Sequence, residues 1–91
     1  MDGFIYINSN IRNDCFNVIE TLRVSGFKCI IKESEIINCN KKGCWRESLC
    51  TVSFINKPLL EIKSAVDNIK KNKNVYRETI NITGIQEDFD I

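Results

Sequence analysis

Two segments of this chain carry the same apolar spacing, and that repetition narrows the fold more than any other feature. Cys15, Val18, Ile19 and Leu22 fall at i, i+3, i+4 and i+7, and Ile62, Ala65, Val66 and Ile69 do so again. Each quartet marks one face of an amphipathic helix. The first helix is expected over about residues 11–25, with Asn10 or Asn13 as N-cap, Asp14 near the positive end of its dipole and Gly26 as the left-handed residue after its end. The second opens at Pro58, which suits a first turn, and closes on Lys70, Lys71 and Lys73, cations that complement the negative end of a helix dipole.

The segments around the helices change to a period of two. Phe4-Ile5-Tyr6-Ile7 is a β-branched and aromatic run closed by the polar Asn8-Ser9-Asn10. Phe27, Cys29 and Ile31 alternate with Lys28, Ile30 and Lys32, a strand with one buried face that Ile36 and Ile37 extend beyond an irregular Glu33-Ser34-Glu35. Asn40-Lys41-Lys42-Gly43 reads as a hairpin loop leading into a strand from Cys44 to Ile55. A last strand is expected from Val75 to Ile82.

The order is therefore βαββαβ in one α+β domain over residues 1–85, with residues 86–91 as an acidic C-terminal tail. Two right-handed crossovers put both helices on one face of a four-stranded antiparallel sheet, the ferredoxin-like arrangement, and leave the other face open. With Ile5 and Ile7 toward the helices, Phe4 and Tyr6 point away, and Trp45, Leu49, Thr51 and Ser53 oppose buried Cys50, Val52 and Phe54.

Composition limits the chemistry. Histidine is absent, which removes the commonest general base and the commonest metal-binding nitrogen. A formal net charge of +1 gives no global field toward nucleic acid or an anionic membrane. The first residues lack the basic and long apolar regions of a leader, so a cytoplasmic setting is expected, and the five cysteines are expected as free thiols. Cys39 and Cys44 stand at a C-x4-C spacing, but Cys29 and Cys50 belong to the core pattern, so no convincing zinc ligand set assembles and no metal or cofactor is expected. A disulfide between Cys39 and Cys44 is the lesser reading beside hairpin thiols. Glu33 and Glu35 are two apart at a solvated strand edge and make no catalytic pair. With no glycine-rich phosphate loop either, an enzyme is not expected.

Ile5-Tyr6-Ile7-Asn8 resembles the first-strand motif of the RNA-recognition-motif family, and the order of elements follows that family over nearly the whole length. The resemblance implies that Tyr6 stacks a base. Val52-Ser53-Phe54 follows the buried end of the family's third-strand motif, whereas Leu49 and Thr51 stand where its aromatics belong, and Glu47-Ser48 replaces its basic-glycine opening.

The leading expectation is a non-enzymatic binding or regulatory module that works through protein contacts, with a homodimer as one form. Its surface would comprise Phe4, Tyr6, Trp45, Leu49 and Thr51 on the open sheet face, with Lys41, Lys42 and Arg46 at the hairpin. The alternatives are a single-stranded RNA-binding module and a small inhibitor from a virus or mobile element, the latter suggested by compactness and the lack of catalytic groups.

Overall fold

A computed structural model describes residues 3–87. The elements run β1 (Gly3–Ser9), α1 (Arg12–Val24), β2 (Cys29–Asn40), β3 (Gly43–Phe54), α2 (Leu59–Lys71) and β4 (Ile80–Glu87). They form one antiparallel sheet in the order β2-β3-β1-β4. This is the ferredoxin-like α+β arrangement expected from the two helical quartets and the alternating runs.

The core lies between the sheet and the helices. Ile5 and Ile7 of β1, Cys50, Val52 and Phe54 of β3, and Ile80 and Ile82 of β4 meet Cys15, Val18, Ile19 and Leu22 of α1 and Ile62, Val66 and Ile69 of α2. Phe27 and Phe54 close one end edge to face, with ring centroids 5.7 Å apart. Both helical quartets are thus the packing faces, although Ala65 is only partly buried.

Four local expectations are corrected. Neither asparagine caps α1: the N-cap is Ile11, and buried Ser9 turns its hydroxyl to accept the Ile11 N–H at 3.0 Å. Gly26 does take a positive φ of 92° just past the helix. Next, β2 is continuous through Glu33-Ser34-Glu35, each residue paired with β3 from Cys29↔Phe54 to Asn40↔Gly43. The alternation fades there because α1 covers β2 only as far as Glu33, which Arg12 grips through both carboxylate oxygens at 2.6 and 3.1 Å. Beyond that point both sides of the strand are wet.

The last strand begins at Ile80 rather than Val75. Val75 and Tyr76 sit in a turn after α2, where their N–H groups bond to the Asn72 carbonyl, and they pack against the core from outside the sheet. Finally, Gln86 and Glu87 pair with Phe4 and Gly3 and belong to β4, not to a tail; the remainder of the expected tail lies outside the described residues.

Candidate functional site: the open sheet face and the hairpin arm

The pairing registers arrange the open face in rows. Thr83, Tyr6, Thr51 and Lys32 form one row across β4, β1, β3 and β2, and Asn81, Asn8, Leu49 and Ser34 form the next. Tyr6 is 37% exposed and meets Phe4 edge to face at 5.3 Å. Its ring lies over Gly84, where an added Cβ would run into the ring carbons Cδ2 and Cε2. Gly84 has φ of 74° and sits at the register shift between Phe4 and Tyr6, so glycine serves here both the bulge and the close approach of the ring.

Past the last β1–β3 pair, Ser9↔Ser48, the β2–β3 hairpin continues alone. Residues 36–47 form a two-stranded arm reaching about 15 Å beyond the sheet. Isolated ribbons of this kind are marginal in water, so what holds the arm matters. At its base, Glu47 accepts hydrogen bonds from Asn8 Nδ2 at 2.8 Å, Asn38 Nδ2 at 2.5 Å and Trp45 Nε1 at 2.6 Å. These donors, Asn38 first, hold the Glu47 carboxyl below its ordinary range.

Near the tip, Cys39 and Cys44 form a disulfide, which corrects the expectation of five free thiols. The two face each other directly in the register with Cα atoms 4.1 Å apart, close enough for a cross-strand bond. Cys15, Cys29 and Cys50 remain thiols. Burial, with nearby Cys50 and Asp14 adding, pushes the Cys15 thiol up to about 12, and burial also raises Cys29 and Cys50. No cluster of potential metal ligands occurs among the described residues.

The expected contact residues separate into two groups. Phe4, Tyr6, Thr51 and Leu49 lie together on the sheet, whereas Trp45, Lys41 and Lys42 belong to the arm. Thr51 is six residues from Trp45 along β3, so Tyr6 and Trp45 are about 20 Å apart. Strand alternation puts Arg46 on the side opposite Trp45, beside the disulfide and Ile37. Trp45 and Ile37 are 40% and 68% exposed, on opposite sides of the arm.

One feature of the helix side escaped the sequence. A groove of about 480 Å³ runs between α1 and α2, with Leu22, Phe27, Leu60, Ala65 and Ile69 along it. Leu60, 75% exposed, was outside the apolar quartet that located α2 and was its one visible signal. No helix among the described residues is long and apolar enough to cross a membrane.

No protein-family model matches the chain, and a comparison with curated proteins finds no match. Among solved structures, that of the periplasmic divalent cation tolerance protein CutA from Archaeoglobus fulgidus is similar over 96% of this chain and 86% of its own, at 12% identity and a TM-score of 0.47. So slight a likeness says nothing about the arm or the open face.

Proposed function

We propose that the protein is a non-enzymatic binding module that makes protein–protein contacts through its β2–β3 arm and the adjoining open sheet face. The observation that carries this reading is the arm itself. A two-stranded ribbon projects past the core, is fastened by a disulfide and a three-donor carboxylate, and exposes an isoleucine and the only tryptophan of the chain. Solvent-exposed Trp45 and Ile37 have no core to serve, and aromatic residues of this kind are the usual anchors of protein interfaces. Lys41 and Lys42 at the tip favour an acidic rim on the partner.

Site-specific photo-crosslinking tests the proposal. A benzophenone side chain at position 45 should give discrete adducts with a protein partner, including a second copy, whereas the same group at exposed position 63 of α2 should not. Equal labelling from both positions would refute the arm as the contact element.

A second reading, single-stranded RNA binding, draws support from Tyr6, whose half-exposed ring is held over Gly84 as a stacking platform would be. Charge opposes it. Among the described strand residues of the open face, Lys32 is the one cation and Glu47 the one anion, which supplies little phosphate attraction. Binding to single-stranded RNA at low salt that is weakened by Tyr6→Ala would decide for this reading, and no binding at low salt would decide against it.

A further inference from the structure

We infer that Cys39 and Cys44 are a reversible dithiol/disulfide site, open to exchange with low-molecular-weight thiols, and that its state sets whether the arm is an ordered ribbon. The inference rests on the arm being the contact element, because it names how that element is regulated. Four observations carry it.

The first is access. Cys39 and Cys44 are both exposed, while Cys15 and Cys50 are buried and Cys29 is half-buried. A small thiol in solution therefore reaches the bonded pair before any other sulfur. The second is surroundings. Lys41 and Lys42 lie within the loop closed by the bond, and Arg46, paired with Ile37, lies on the same side of the ribbon two residues from Cys44. Cations beside sulfur favour thiolate, the species that attacks and leaves in exchange.

The third observation is the turn. Two-residue hairpin loops close best when their central residues adopt positive φ, which matches the twist of the strands. Lys41 and Lys42 do not; Gly43, with φ of 138°, takes the unusual conformation after them, and Asn40 Oδ1 accepts the Lys42 N–H at 2.8 Å. The turn thus rests on one exposed side-chain bond and a glycine, and the disulfide one pair behind it supplies the covalent constraint on the ribbon. The fourth is independence. The bond spans only five positions in sequence and lies outside the core, so opening it leaves the packing between sheet and helices untouched.

The chemistry balances without a metal. On oxidation the two thiols release two protons, and their electron pair passes to a small disulfide. One protein thiolate attacks that disulfide, forms a mixed disulfide and expels one small thiolate. The second protein sulfur then closes the Cys39–Cys44 bond and expels the other. Reduction by two small thiols is the reverse.

The purified full chain, equilibrated in mixtures of reduced and oxidised glutathione at neutral pH, tests this directly. Thiols are trapped by alkylation and located by mass spectrometry while amide exchange is followed in parallel. Reducing mixtures should expose Cys39 and Cys44 without denaturant, oxidising ones should close them again, and amides of residues 36–47 should exchange at least about tenfold faster in the reduced chain, with residues 50–54 unchanged. A Cys39→Ser/Cys44→Ser double variant should show the fast exchange in every mixture. A bond that resists the native-state reducing mixture, or an arm equally protected in the reduced chain or in the double variant, would overturn the inference. None of these readouts requires a partner, so failure of the binding proposal would be seen separately, in the crosslinking.

Discussion

Val52 has no exposed surface and sits opposite Ile5 and Ile31 in the sheet register, under the helices. Val52→Asp would bury an unpaired carboxylate there at a cost of several kcal/mol, a large part of the stability of a domain this size. Loss of the cooperative thermal transition is expected, and a melt near that of the wild type would contradict the assigned core face. Gly84 combines a positive φ with a Tyr6 ring in the space a Cβ needs. Gly84→Ala should therefore cost roughly 1–2 kcal/mol, read as a lower denaturant midpoint, and Tyr6→Ala in the same chain should recover the part due to the clash. The cysteines differ by place in the same way. In denaturant without reductant, three thiols should titrate, those of Cys15, Cys29 and Cys50, and in the folded chain Cys15 and Cys50 should stay unreactive. Five titrating thiols would mean that the arm is not cross-linked.

At the scale of elements, the arm can be followed through its tryptophan, the only one in the chain. Glu47 accepts the Trp45 indole N–H, and its carboxyl is held below the ordinary value of 4.5, first by Asn38 and then by Asn8 and Trp45. Because the folded value is the depressed one, the stabilisation is complete above 4.5 and is lost as pH falls through the lower folded value. Trp45 emission should shift over that acid range before the far-ultraviolet dichroism changes, and Glu47→Gln should abolish the pH-dependent step. Emission that stays flat while the sheet stays folded would remove Glu47 as the clasp of the arm. The turn of the arm was legible, since Asn40-Lys41-Lys42-Gly43 stands where the ribbon reverses, but the course of β2 into it was not. The helices and the buried halves of β1 and β3 announced themselves because one face of each meets the core and imposes a period. Residues 33–35 of β2 carry no such signal, since Glu33 meets α1 only through its ion pair with Arg12 and Ser34 and Glu35 are exposed, so that pairing with β3 keeps the run extended. The disulfide stood only as the lesser reading for a different reason, as C-x4-C spacing becomes a bond only when the register places Cys39 opposite Cys44. Val75 and Tyr76 misled in the opposite direction, because apolar residues packing on the core from a turn look the same in sequence as a strand.

At the scale of the whole molecule, the question is what covers the exposed apolar side chains. Tyr6, Ile30, Ile37 and Trp45 are all substantially exposed, and three of the four lie on the open-face side, Tyr6 and Ile30 on the sheet and Trp45 on the arm. A second copy is the simplest cover, and identical chains that pair usually do so about a two-fold axis, with each contact made twice. An arm of one protomer laid across the sheet of the other would bring Trp45 toward Tyr6 and Leu49, joining the two groups of contact residues that lie about 20 Å apart within one chain. On this account the protein should sediment as a dimer at micromolar concentration. Leu49→Lys, a change at a half-buried open-face position flanked by Asn8 and Ser34, should shift it toward monomer while the thermal transition persists. Trp45→Ala should do the same from the arm. If the contact is symmetric, each substitution is felt twice, so the dissociation constant should rise by about a hundredfold where one lost contact contributes about 1.4 kcal/mol. A wild-type chain that remains monomeric at high concentration would exclude self-association and leave the arm and the face to a foreign partner, with the position-45 crosslinks then expected to identify it.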